Sequence, residues 1–168
     1  MSWYLHVLPL HEAVRDGGLA WAASADSTRG LPDHVPGPQP PASVLDILGA
    51  FRAAGCHGRA WFEVSDLDAG LGLPQCPDPM TCTDTDGLDL GEVSLHVAGQ
   101  AGGKHPLQAD AAVEGVSFRK PSGTAALHAA CALTAVTGPL LVYEPSANHV
   151  FVVWPDEQAE DLAGEWPW

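Results

Sequence analysis

Positive charge is scarce in this sequence. Only 7 Lys and Arg residues face 21 Asp and Glu residues, so the formal net charge of the 168-residue chain is −14 at pH 7. Proteins that bind the phosphates of nucleic acid need clustered Lys and Arg, and an anionic membrane surface attracts the same residues. The composition therefore predicts that the protein binds neither nucleic acid nor a membrane surface.

Long apolar runs and a basic leader are also absent. No stretch approaches the roughly eighteen consecutive apolar residues of a membrane-spanning helix. The N-terminal segment lacks the basic start and the continuous apolar core of a signal peptide, since His6 interrupts the run and Pro9 follows. We therefore expect a cytoplasmic protein, whose cysteines should be thiols.

Recognisable catalytic signatures are missing. The sequence contains no G-x-S-x-G or H-E-x-x-H motif, and the glycine-rich segment 99–104 lacks the spacing of a phosphate-binding loop. Cys56 and His57 are adjacent, but neighbours in sequence seldom point at one another as a nucleophile and base must. His6 and His96 fall on the polar faces of two predicted strands, where strand pairing could bring them close. These observations favour a non-enzymatic protein without a cofactor.

A metal site is the main enzymatic alternative. Cys76 and Cys82 could bind zinc together with His96 or His105, although their spacing is not that of a zinc knuckle, and they could instead pair under oxidising conditions. The carboxylates of segment 84–92 resemble a calcium loop only in part, because the glycine and the final glutamate come too early. The sequence leaves the metal question open.

Two helices are indicated by local signals. Ser43 precedes an apolar pattern at helical spacing, Asp46 lies three residues later as in a capping box, and Gly55 ends the pattern. A second helix is predicted over 124–137, because its interior is almost entirely small or apolar. A short acidic helix is predicted after Pro155.

Alternating or continuous apolar residues with high β-propensity predict the strands. They lie at 3–8, 59–64, 92–97, 113–119, 140–143 and 150–154. The order β-α-β-β occurs twice, which suggests two βαββ units. We predict one α+β domain over residues 1–168, a largely antiparallel sheet of about five to six strands with two main helices packed on one face.

Two acidic tracts without nearby cations are the strongest functional feature. The first follows Arg59 and the second follows Lys120. We predict that they and two terminal tryptophans contact a partner through these residues: Asp78, Asp84, Asp86, Asp89, Glu92, Asp156, Glu157, Glu160, Asp161, Trp166 and Trp168.

The tryptophans have a second interpretation as packing residues. Trp61 and Trp154 lie in predicted strands and are expected in the core, and Trp166 and Trp168 are expected to dock on the body.

The resulting hypothesis is an acidic binding protein. It would engage and neutralise a basic protein, such as a toxin or nuclease, as immunity proteins and inhibitors do. The alternatives are a metal-dependent enzyme that uses Cys and His ligands, and a small-molecule-binding or structural module. Acidic surfaces also favour solubility without any partner.

Overall fold

The computed structural model describes residues 3–76, 87–99 and 105–168. In chain order, the elements of the described part are β1 (Tyr4–Pro9), α1 (Leu10–Ala13), α2 (Gly18–Ala23), β2 (Ser27–Arg29), α3 (Val44–Ala53), β3 (His57–Ala60), β4 (Asp89–Val97), β5 (Val113–Arg119), α4 (Gly123–Thr137), β6 (Leu140–Tyr143), β7 (His149–Val153) and α5 (Ala159–Leu162).

The seven strands of the described residues belong to one mixed sheet. Their order is β2-β7-β6-β1-β5-β4-β3, and the two edge strands β2 and β3 run parallel to their neighbours β7 and β4. The prediction of a largely antiparallel sheet of five to six strands with two main helices is therefore wrong. The prediction of two equivalent βαββ units is also wrong, because β3 and β4 are parallel whereas β6 and β7 form an antiparallel hairpin.

The missed features lie at the sheet edges, where local pattern is weakest. β2 consists of Ser27, Thr28 and Arg29, which carry no apolar alternation, and it exists because its backbone pairs with β7. β3 is shorter than predicted and begins at His57. A long connection between β3 and β4 lets the chain return in the same direction, which a sequence of strands and turns does not reveal.

The main core lies between the sheet and helices α3 and α4. Leu5, Val7 and Phe118 point from the central strands to this side, and Phe51 of α3 meets the Phe118 ring at a centroid distance of 5.9 Å. The predicted capping box of α3 is confirmed: Ser43 Oγ accepts a hydrogen bond from the Asp46 N–H at 3.1 Å, and Asp46 Oδ2 accepts one from the Ser43 N–H at 3.0 Å.

A smaller core lies on the opposite face. Leu10, Val14 and Ala22, from the region of α1 and α2, pack against Leu141 of β6 and Val152 of β7. These helices therefore cover one end of that face. The same face of β1, β5 and β4 carries polar and aromatic side chains instead.

No helix within residues 3–76, 87–99 and 105–168 has both the length and the apolar character to span a bilayer.

Candidate functional site

The first candidate site is a groove between α4 and the segment that follows β7, which we call the acidic groove. Its cavity measures about 350 Å³. Cys131, Ala132 and Ala135 of α4 form an apolar wall. Asp156 and Glu160 lie exposed on the other side. An apolar wall beside carboxylates suits a long cationic side chain, whose methylene groups need apolar contact and whose head needs negative charge.

The ionisation of Cys131 reports the environment of the acidic groove. Burial raises the pKa of the Cys131 thiol to about 11, and the nearby negative charges of Glu157 and Glu160 contribute in the same direction. The thiol is therefore protonated at neutral pH and is a poor nucleophile. Negative charge beside the groove therefore disfavours the thiolate form of Cys131.

Arg29 holds the acidic groove's C-terminal wall in place. Its guanidinium donates to Glu157 Oε1 at 2.7 Å and Oε2 at 2.9 Å, to Glu165 Oε2 at 3.0 Å and to the Val152 carbonyl at 3.0 Å. Glu157 Oε2 also accepts from the Trp154 N–H at 2.8 Å. We call this arrangement the Arg29 clamp. The clamp connects edge strand β2 with Val152 of β7 and with Glu165.

The Arg29 clamp should make stability depend on acid pH. The hydrogen bonds from Arg29 lower the pKa of Glu157 from its ordinary 4.5. A lowered folded-state pKa stabilises the protein above the unfolded-state value, and this contribution disappears as the pH falls through the folded-state value. We expect Glu157→Gln to lower the free energy of unfolding at pH 7 and to cost less below pH 4.5. Urea denaturation at pH 7 and at acid pH measures both; an equal cost at the two pH values contradicts the prediction.

The structure spreads the predicted contact residues over different environments. Asp156, Glu160 and Asp161 are exposed, whereas Glu157 is half-buried in the Arg29 clamp. Glu92 lies 2.6 Å from Arg119 Nη1 and 3.9 Å from Arg59 Nη1. The local lack of cations in the sequence is thus partly compensated by arginines from other strands.

Three further members of the first tract, Asp78, Asp84 and Asp86, lie outside the described residues. Asp89 Oδ1 accepts a hydrogen bond from the Gly91 N–H at 2.9 Å. Asp89 therefore stabilises a local turn at the start of β4.

The terminal tryptophans dock on the body, which confirms that interpretation. The Trp166 indole N–H donates to the Gly123 carbonyl at 3.0 Å, and its ring lies 5.0 Å from Phe151 and 4.9 Å from Trp168. The core assignment of Trp61 is wrong, because 60% of this residue is exposed. The predicted strand 59–64 ends at Ala60 in the structure, so Trp61 follows β3 instead of lying within the sheet.

The second candidate site is a cleft on the sheet face opposite α3 and α4, which we call the sheet cleft. It measures about 390 Å³ and is lined by Tyr4, Trp61, Glu92, Ser94, Ser117 and Arg119. Strand register aligns these side chains, since Arg119 pairs with both Tyr4 and Glu92, and Ser117 pairs with Ser94. Residues two apart on a strand share a face, so the lining repeats along β4 and β5.

Two histidines meet Ser117 beside this cleft. Its hydroxyl oxygen lies 2.8 Å from His6 Nδ1 and 2.8 Å from His96 Nε2. His96 reaches Ser117 diagonally over Gly115, its cross-strand neighbour, where a Cβ would stand 2.7 Å from Leu8 Cδ2. Burial lowers the pKa of His6, and the nearby His96 adds to this effect. A serine hydroxyl has one proton, so neutral rings satisfy the arrangement when one accepts and the other donates.

Metal-binding interpretations receive no geometric support in the described part of the chain. Residues 3–76, 87–99 and 105–168 contain no group of three or more His, Cys, Asp or Glu side chains arranged to hold a metal ion. Cys76 is disulfide-bonded, so the expectation that the cysteines are thiols is wrong for this residue. Because zinc binds the thiolate form of cysteine, Cys76 is not a ligand while this bond is intact. Cys82 lies outside the described residues, and Cys56 and Cys131 are free thiols.

Sequence reasoning missed the sheet cleft as a site. The alternation in β1 and β4 indicated a polar face that includes His6 and His96, and this signal was correct. No local sequence pattern marks Ser117 or Arg119, because each acquires its contacts from the neighbouring strands. The residues of the cleft are far apart in sequence and become neighbours only through the order of β1, β5 and β4.

Comparisons with known proteins do not add a family or a fold relative. No protein-family model matches the chain, and no curated protein or solved structure shows significant similarity to it.

Proposed function

We propose that this protein is a non-enzymatic binding protein that engages, and neutralises, a basic protein partner. The acidic groove carries the proposal, because it combines exposed carboxylates with an apolar wall in a molecule of net charge −14. Basic side chains such as Lys and Arg supply both the charge and the apolar stem that this groove fits.

The distribution of ion pairs supports a long-range attractive field. Most arginines are engaged within the protein, as Arg29 is by Glu157 and Glu165. Because these ion pairs neutralise the arginines inside the protein, the large excess of acidic residues remains without counter-charge. An unbalanced surface charge accelerates encounter with an oppositely charged protein and disfavours partners of like charge.

The acidic groove also offers a specific place for contact. Asp156 and Glu160 are exposed, and the Arg29 clamp fixes the backbone that carries them through Glu157. A rigid site loses less conformational entropy on binding than a mobile one. In the proposed complex, the carboxylates steer a basic side chain into the groove, and α4 supplies apolar contact.

The test begins with a basic protein captured from the cells that produce this chain, followed by association kinetics. We expect the triple variant Asp156→Asn, Glu160→Gln, Asp161→Asn to slow association at low salt by about tenfold or more and to flatten its salt dependence. The matched control, Glu63→Gln, Asp66→Asn, Asp68→Asn, removes the same charge from another exposed segment.

The control variant distinguishes the contribution of the acidic groove to the association rate from the contribution of the protein's overall charge. It should slow association only a few-fold, because long-range charge is reduced without loss of local contacts. Equal slowing by the two variants would show that net charge alone accelerates association and that the acidic groove makes no specific contribution. An unchanged rate in both variants, with a captured protein that is not basic, would overturn the proposed function.

A further inference from the structure

We propose that the sheet cleft, together with a series of ring side chains beside it, binds an uncharged, linear oligosaccharide. This site lies on the sheet face opposite α3 and α4, whereas the acidic groove is built on α4. The inference goes beyond the proposed function and does not depend on it.

A series of neighbouring rings extends from the cleft across the sheet. The Tyr4 and His6 rings of β1 lie parallel with a centroid distance of 6.3 Å, and the His6 ring lies 5.2 Å from Tyr143, its cross-strand neighbour on β6. The Tyr143 ring in turn meets Trp21 of α2 edge-on at 5.3 Å. We call Tyr4, His6, Tyr143 and Trp21 the aromatic row. Because Tyr4 also lines the sheet cleft beside Trp61, the row and the cleft form one elongated surface, which favours a chain of linked rings over a single small molecule.

The rings at both ends of this surface are exposed. Trp61 is 60% exposed, Trp21 is 42% exposed and Tyr4, between them, is 37% exposed. A sugar ring has apolar C–H groups on its faces and hydroxyl groups around its rim. It can therefore cover an aromatic ring with one face while its rim forms hydrogen bonds, a combination that an aromatic surface beside polar side chains can satisfy.

The polar side chains of the cleft match the hydroxyl groups of a sugar. Ser94 can donate or accept a hydrogen bond, and the Glu92 carboxylate accepts them. Sugar hydroxyls do both and can therefore bind to either side chain. An oligoproline peptide also packs on aromatic rings, but it has no backbone N–H to donate to Glu92. The lining thus favours a saccharide over a proline-rich peptide.

The charges within the cleft are paired with one another, which favours an uncharged occupant. Glu92 Oε2 lies 2.6 Å from Arg119 Nη1, and these two residues contribute one charge of each sign to the lining. A neutral ligand can bind without breaking this ion pair, whereas an anion or a cation would compete with one of its members. The net charge of −14 also repels acidic saccharides at long range.

The test is an NMR titration of the Trp61 and Trp21 indole signals, which Trp61→Ala and Trp21→Ala assign. The probes are cellohexaose, xylohexaose, mannohexaose, maltohexaose and chitohexaose, with an oligoproline peptide of similar length as the competing class. We expect saturable shifts of both signals with at least one hexasaccharide. The monosaccharide of the tightest probe should bind at least about tenfold more weakly, because one ring contacts only part of the surface.

Variants then test the contribution of the rings. Trp61→Ala and Trp21→Ala should each weaken binding of the tightest hexasaccharide about tenfold. Both side chains are exposed, so the fold should be retained, which circular dichroism checks. The control Leu45→Ala removes a side chain that is 37% exposed, as Tyr4 is, but that belongs to α3 on the other side of the sheet. It should leave the affinity unchanged.

Four results would overturn the proposal. They are absence of saturation with every hexasaccharide, tighter binding of the oligoproline peptide than of any hexasaccharide, full affinity in either tryptophan variant, and an equal loss of affinity in Leu45→Ala.

Discussion

Replacing Phe118 by alanine is expected to lower the free energy of unfolding by about 3 to 5 kcal/mol. Phe118 lies fully buried in β5 and pairs in register with Leu5 and Val93, which face the same core. Its ring meets Phe51 of α3 at 5.9 Å. The substitution removes the contact between sheet and helix and leaves a cavity that packed neighbours fill only in part. Urea denaturation followed by circular dichroism measures the loss.

Trp61→Ala is the matched control for this prediction. It removes an even larger ring, but one that is 60% exposed, so the cost should stay within about 1 kcal/mol. The contrast tests whether the sheet face that packs against α3 and α4 carries the stability. A similar cost for the two substitutions would show that the Trp61 ring is packed against something in solution.

Replacing Arg29 by alanine is expected to cost about 2 to 3 kcal/mol. Arg29 and Glu157 side chains are each only 26% exposed, and the substitution leaves the Glu157 carboxylate with a single backbone donor from Trp154. The Val152 carbonyl loses its side-chain donor as well. The cation also lies 5.2 Å from the centre of the Phe151 ring, a contact that alanine cannot replace. Thermal and urea denaturation at pH 7 measure the cost.

Arg15→Ala supplies the comparison for Arg29. Arg15 also forms an ion pair, with Glu12 at 3.0 Å, but its side chain is 62% exposed. Solvent screens such pairs, and ordering the two side chains offsets most of the gain, so the expected change is within about 0.5 kcal/mol. If both arginine variants lose equal stability, the Arg29 clamp does not have the structural importance assigned to it.

The clamp links stability to the proposed binding function. Arg29 comes from β2, whereas Glu157 and Glu165 come from the segment that borders the acidic groove. Loss of Arg29 should therefore free that segment and weaken partner binding in addition to stability.

Local signals predicted the interior elements well. The helix predicted over 124–137 is α4 at Gly123–Thr137, and the strands predicted over 113–119 and 140–143 are β5 and β6 with the same bounds. These segments are buried, so their apolar patterns reflect their final environment. The capping box of α3 was equally predictable, because both partners lie within four residues.

The sheet edges, the Arg29 clamp and the sheet cleft were not predictable in the same way. β2 has no apolar alternation and is defined by its pairing with β7. Arg29 binds carboxylates that lie more than a hundred residues away in sequence. Ser117 forms its hydrogen bonds with His6 and His96, which lie on two other strands. Strand direction is also a property of the connection and the neighbour, not of the strand's residues. Such pairings leave no periodic trace in the chain.

The amino-acid order alone therefore determined the charge excess, the two long helices and the interior strands, because these depend on composition and on contacts between near neighbours. The tertiary structure decided which carboxylates are paired with arginines and which polar groups converge on the sheet face opposite α3 and α4. The physical reason is that hydrogen bonds and ion pairs act over a few ångströms in space. Only the folded sheet brings Arg119, Glu92 and Tyr4 within that distance.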